Sequence, residues 1–305
     1  MRRGALLLVA AVLLISSMAA MPDEVSTAGR AIIEQNENAV VTIRLVVKTQ
    51  YSFPGFGSED EESIVERTGT VIDPSGLTVV SLTGTDPADM FWEMMEGMGQ
   101  EEEGLDFRTE LTDVKILREG AKEIPARVVL RDRDLDLAFL RPTSPLDAPM
   151  KTVDLTKASS PERLDQLIVL HRMGKVAGRA CATALDRVQA VSTKPRLFYF
   201  LSDSPAVAFA GFSPVLGGPA FTLDGSCAGI VVLRKLKAAA GDGEPEIALV
   251  VLPAKDVLDV AQQAPSVEQA EVAEKAEQSQ QEEAAESQDS SPALQIQVGP
   301  DGKAE

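Results

Sequence analysis

The chain has 305 residues, 44% of them hydrophobic and 25% charged, which is enough apolar content for a core and too much for a chain that is disordered throughout. Its 47 acidic residues against 29 basic ones give a formal charge of −18, which repels phosphate backbones and argues against nucleic acid as a partner. Two cysteines and one histidine cannot supply a four-ligand Cys/His zinc site or a disulfide-stapled mini-domain, so any metal would have to sit on carboxylates; no metal and no cofactor is expected.

Residues 1–20 read as a signal peptide. Met1-Arg2-Arg3 gives a positive start, Ala5 to Ile15 an apolar run, and Ser17-Met18-Ala19-Ala20 small residues for cleavage. The run spans roughly 16 Å as a helix, about half of a bilayer core of ~30 Å, so an uncleaved anchor is the weaker alternative and no stable membrane span is expected. The expected location is therefore the bacterial periplasm or the extracellular space. In such an oxidising compartment Cys181 and Cys227 either pair or remain two separate buried thiols.

From Ala39 to about Pro253 short runs rich in Val, Ile and Leu alternate with Gly, Pro, Asp and Ser clusters. Ala39–Val47, Gly69–Ile72, Leu77–Leu82, Val114–Leu117, Arg127–Leu130, Leu137–Arg141, Leu167–His171, Leu197–Leu201, Ala228–Leu233 and Ile247–Leu252 read as strands, hence an all-β sandwich or barrel. Ser58 to Glu62 reads as an acidic, solvated loop. Between strands, Asp86 to Phe107 carries Met90, Phe91, Trp92, Met94, Met95 and Met98, the methionines and Phe91 spaced as one face of a helix. That stripe either covers a barrel end or binds a partner. Ala254 to Gln263 reads as a short helix packed on the last strand. Residues 264–305 turn to Glu, Gln, Ala and Ser, with ten acids against two lysines. They read as a disordered acidic tail with transient helix over Val267 to Glu286. Near its end Leu294 to Val298 alternates apolar and polar residues, a pattern able to add as a strand to another sheet.

Three segments carry a resemblance. Gly69-Thr70-Val71-Ile72-Asp73-Pro74-Ser75-Gly76-Leu77-Thr78-Val79-Val80-Ser81-Leu82-Thr83 is similar to the block G-x-I-I-D-x-x-G-x-I-L-T-N-x-H. Ile124 to Asp132 followed by Asp134 to Leu140 is similar to F-P-A-x-V-V-x-x-D and D-L-A-L-L. Pro214-Val215-Leu216-Gly217-Gly218-Pro219-Ala220 is similar to G-N-S-G-G-P-L. In order and spacing these resemble the trypsin-like serine peptidases of HtrA/Deg type. The resemblance implies an all-β fold over residues 30–262: two six-stranded antiparallel β-barrels, about 30–145 and 150–253, with a short C-terminal helix and the disordered acidic tail. The family often adds a peptide-binding PDZ domain after the barrels; here the polar tail stands in that place.

The chemistry departs from the family. A triad needs a hydroxyl nucleophile, an imidazole base and an orienting carboxylate. Carried over residue by residue, the imidazole position holds Thr83, the carboxylate position Asp136 and the nucleophile position Leu216. Threonine is no general base, and leucine has no attacking atom. The oxyanion position two residues before the nucleophile holds Pro214, which has no N–H. Asp136 then needs other partners, with the Thr83 hydroxyl a candidate. His171 falls in a strand away from the triad position; a Ser-His pair would require it beside Ser202, Ser204 or Ser213. A Ser-Lys dyad through Lys175 has no motif behind it. The expectation is an exported, catalytically inactive protein that binds unfolded polypeptide or a partner, such as an active peptidase of the same family. A leucine at position 216 would plug the cleft. The rivals are an active serine endopeptidase with a non-standard site and a structural envelope protein tethered through its tail.

Overall fold

The computed structural model describes residues 23–53, 57–83, 85, 106–118, 122–202, 213–236 and 246–276. The signal-peptide reading, the Met-rich stripe with Met90, Phe91, Trp92, Met94, Met95 and Met98, Ser204 and most of the acidic tail lie outside them. The chain divides between Ala264 and Pro265 into two units. In the second, residues 267–276 form a helix, within the stretch Val267 to Glu286 where transient helix was expected.

Strands β1 (Val40–Phe53), β2 (Gly57–Val71), β3 (Thr78–Ser81), β4 (Asp106–Leu117), β5 (Glu123–Asp132) and β6 (Leu137–Pro142) close into an antiparallel barrel in the order β1-β2-β3-β6-β5-β4. The period of two along β1 turns Val41, Ile43, Leu45 and Val47 inward, where Val71, Val80, Ile116, Val128 and Leu140 meet them. Beyond Val47, β1 and β2 continue as a ribbon with continuous register to Phe53↔Gly57. The acidic stretch Ser58 to Glu62, expected as a loop, is therefore strand. It is held by cross-strand pairs and not by burial: Lys48 Nζ lies 2.8 Å from Asp60, and the Tyr51 hydroxyl donates to Glu59 at 2.9 Å.

The second half, expected as a second six-stranded antiparallel barrel, is a half-barrel of seven antiparallel strands: β7 (Gln166–Arg172), β8 (Cys181–Arg187), β9 (Ala190–Ser192), β10 (Phe198–Phe200), β11 (Pro219–Thr222), β12 (Cys227–Leu236) and β13 (Glu246–Pro253). Their order is β8-β7-β11-β12-β13-β10-β9. There are seven strands and not six because one strand is broken in two. Val188 bonds towards the β7 side, through Leu164 N–H and Asp165 C=O, whereas Gln189 N–H donates to Phe200 C=O on the β10 side. The two edge strands are thus consecutive in the chain, and Val188 turns inward at the bend to join Leu167, Val169, Tyr199, Val231 and Val251 in the second core.

Two helices complete this unit. α1 (Glu24–Asn36), which the sequence reading did not anticipate, buries Ile32 and lies against β7, where a Cβ on Gly29 would stand 3.4 Å from Ile168 Cδ1. α2 (Ala254–Ala261) follows Pro253 and buries Ala254, Val257, Val260 and Ala261; of Val257, Leu258 and Val260, the residues expected to pack, Leu258 stays half-buried. No described helix is long and apolar enough to cross a membrane.

The barrel and the sheet meet through polar side chains. The Thr68 and Thr70 hydroxyls on β2 donate to Pro214 C=O and Gly217 C=O, each at 2.8 Å, and Arg172 N–H donates to Thr68 Oγ1 at 2.9 Å. Buried hydroxyls need such partners, and the junction supplies them from across the boundary.

Candidate functional site

The ladder between β3 and β6 pairs Ser81 with Leu137 and continues with Leu82 N–H donating to Asp136 C=O at 3.0 Å. This places the Asp136 side chain between Ser81 and Thr83, and the turn before β6 holds the residue at φ 56°, a left-handed conformation that aspartate tolerates. The residue is 6% exposed, and its carboxylate accepts four hydrogen bonds. Oδ1 takes the Thr83 N–H at 2.6 Å and the Thr83 hydroxyl at 2.7 Å; Oδ2 takes the Ser81 hydroxyl at 2.6 Å and the Leu233 N–H at 2.9 Å. Leu233 belongs to β12, so the carboxylate joins barrel and sheet. Burial drives the Asp136 carboxyl above its ordinary value while these donors pull against that shift. Next to it, Arg234 donates to Asp134 C=O and stacks over Phe198 at 4.8 Å.

Thr83 is half-buried with its hydroxyl committed to Asp136, so it offers no base. The turn at 213–218 holds the residue that the resemblance aligns with a nucleophile. Leu216 is 2% exposed, and its side chain lies in the second core among Leu167, Val169, Tyr199 and Val231. The expectation that it plugs the cleft is corrected here: an isobutyl group gains most by leaving water, and the core of the sheet takes it. Its N–H donates to Ser213 C=O at 3.2 Å, and Gly218 N–H donates to Val215 C=O at 2.9 Å. With Pro214 lacking an N–H, neither of the two positions that the resemblance aligns with oxyanion donors offers a free amide. Gly217 sits at φ 79°, as the third residue of a type II turn requires, and a Cβ there would stand 2.4 Å from Thr68 C=O.

The remaining candidates are scattered. His171 is 6% exposed on β7; its Nδ1 has no hydrogen-bond partner, and burial pushes the imidazole below its ordinary value. Among the described residues no serine hydroxyl bonds to it; the Ser202 N–H is instead held by Asp186 at 3.0 Å. Lys175 lies in a short turn after β7. Cys181 and Cys227 are both free thiols, which removes the possible disulfide. Cys181 faces Arg172 at one end of β7, whereas Cys227 pairs with Phe221, which pairs with Ile168. They are thus three strand spacings of about 4.8 Å apart, well beyond the ~7 Å between Cα atoms that a disulfide bridges.

Beside Pro214 the molecule keeps a pocket of about 210 Å³ lined by Thr42, Glu66, Thr68, Arg172, Met173 and Ser213 among others. One oxygen of Glu66 is paired with Arg179 at 2.5 Å, while the other, Oε2, is buried with no hydrogen-bond partner. Sequence reasoning missed this acceptor, and it missed Ser81. Ser81 is two residues before Thr83 and so on the same face, which is the signal that could have found it. No protein-family model matches the chain, and no curated protein matches it.

Proposed function

We propose that this protein is an exported, non-cleaving relative of the trypsin-like peptidases of HtrA/Deg type that holds polypeptide, or a partner peptidase, without hydrolysing it. One observation carries the reading: every position that would do chemistry has a structural duty. Leu216 fills the sheet core, its N–H closes a turn, Pro214 has no N–H, and Asp136 with Thr83 joins barrel to sheet. The binding half of the reading is supported by the 210 Å³ pocket next to Pro214, where Glu66 Oε2 lacks the donor that a peptide N–H or a cationic side chain would bring. Export rests on the leader-like residues 1–20.

The test is incubation of the purified chain with a fluorophosphonate probe and with unfolded casein. The expected result is no labelling and no cleavage, together with saturable binding of casein. Labelling or cleavage by the chain would overturn the inactive assignment, and its loss when Ser202, Ser204 and Ser213 are replaced would assign it to a serine site. Casein binding that vanishes on removal of residues 264–305 would move the binding function from the folded unit to the tail.

A further inference from the structure

A second pocket, of about 440 Å³, opens where β1 starts, β4 ends and β5 begins. Its wall is Asn38, Val40, Val41, Leu117, Arg118, Lys122, Lys151 and Arg172. Four of these eight side chains are cationic, and among the described residues none is a carboxylate, in a chain whose net charge is −18. Chance placement on so acidic a molecule favours the opposite sign.

The local geometry makes the concentration costly. Leu117 pairs with Glu123 across the β4–β5 hairpin, and Arg118 N–H then donates to Lys122 C=O at 3.0 Å. Arg118 and Lys122 therefore stand directly opposite one another, a cross-strand like-charge pair that destabilises an antiparallel ladder. Arg172 is fixed at the wall by three carbonyls: Val40 at 2.7 Å, Glu37 at 2.5 Å and Arg179 at 3.3 Å. Those bonds use three of its five N–H groups and neutralise no charge. Lys122 pairs with Asp147 at 2.7 Å, but the two side chains are 58% and 86% exposed, so water screens that pair. The charge left at the pocket is positive, carried on two guanidinium forks and two ammonium groups above an apolar floor of buried Val40, Val41 and Leu117.

We propose that this pocket binds a compact oxyanion with two or more negative charges, a phosphate ester or a polycarboxylate. The guanidinium fork matches such oxygens two at a time, and the ammonium groups add point charge. The volume lies within the range that encloses a small ligand. This inference stands apart from the reading of the barrel–sheet junction, although Arg172 also lines the pocket beside Pro214.

The experiment is calorimetric titration of the full-length chain with inorganic pyrophosphate and, separately, with tricarballylate and with poly-glutamate, at ionic strength held fixed with sodium chloride. Saturable one-to-one binding of at least one of them is expected, with Kd below about 1 mM. Arg118→Gln and Lys151→Gln, both outside the packed cores, should each weaken it tenfold or more. In parallel, pyrophosphate or tricarballylate should raise the melting temperature of the parent chain and not that of the double variant, which separates lost binding from lost folding. Pyrophosphate binding without tricarballylate assigns a phosphate-bearing ligand, the reverse assigns a polycarboxylate, and binding of both assigns their shared oxyanion chemistry. The proposal is overturned if neither binds, if both variants bind as the parent does, or if only poly-glutamate binds, which would make the surface one for acidic polypeptide.

Discussion

Replacing Asp136 by Asn separates a carboxylate that is a structural joint from one left over from lost chemistry. Each carboxylate oxygen accepts one hydroxyl, which can rotate, and one backbone N–H, which cannot: Thr83 N–H at Oδ1 and Leu233 N–H at Oδ2. Whichever oxygen becomes NH₂, a buried N–H then faces another donor. The Ser81 and Thr83 hydroxyls can turn to accept from the amide; the peptide groups have no such freedom. One buried unpaired N–H costs about 1–3 kcal/mol, and the variant should be destabilised by that amount at neutral pH. Urea unfolding followed by circular dichroism reads this as a lower midpoint at unchanged slope. A pH series adds a signed check. Because burial raises the folded pKa of Asp136 above its ordinary value near 3.8, the folded parent binds the proton more tightly than the unfolded chain. Its contribution is therefore fully favourable below that ordinary value and falls away as pH rises through the folded one. Asn lacks this dependence, so the gap between parent and variant should widen as pH drops from 7 towards 4. A variant as stable as the parent at pH 7, or a gap that narrows on acidification, would refute the reasoning.

Leu216→Ser, alone or with Thr83→His, should give no fluorophosphonate labelling. It should also cost about 2–5 kcal/mol, because position 216 faces the sheet core. Gly217→Ala combines a left-handed backbone, about 1–3 kcal/mol, with a Cβ 2.4 Å from Thr68 C=O; chemical denaturation should show a loss at the upper end of that range or beyond. Burial pushes Cys227 up to about 12, so a thiol reagent should modify half-buried Cys181 slowly and Cys227 only after unfolding, with gel mobility unchanged by reductant. Buried His171 has a folded pKa below its ordinary 6.5, so stability present above that value should be lost as pH falls through the folded one. His171→Gln should flatten that slope between pH 7 and 5.

The strands with dense Val, Ile and Leu were legible from sequence because burial on one pleated face leaves a period of two, as along β1, and burial on both faces leaves an unbroken apolar run, as along β13. β8 was not: Cys181–Arg187 is an edge strand with Leu185 58% exposed, so its alternation involves small and polar residues. α1 escaped because only Ile32 of its residues is fully buried, too little to mark an apolar stripe. At the site, residue types were legible as they stand: Thr83 carries no imidazole and Leu216 no side-chain oxygen, whatever surrounds them. They did not tell where Leu216 points, because a turn's direction depends on bonds to distant strands. The Leu233 N–H on Asp136 was equally hidden, since a backbone donor leaves no trace in residue identity.

The bonds that fasten barrel to sheet join positions far apart along the chain: 146 residues from Thr68 to Pro214, 147 from Thr70 to Gly217 and 97 from Asp136 to Leu233. Large loops must close before any of these contacts can form, which slows a β topology towards the millisecond-to-second regime. During synthesis the N-terminal half emerges with Thr68, Thr70 and Asp136 lacking those acceptors and donors until residues 214–233 follow. A nascent chain paused there would carry an unfinished polar seam, and pulse-labelling hydrogen exchange should find the Leu233 amide among the last to gain protection.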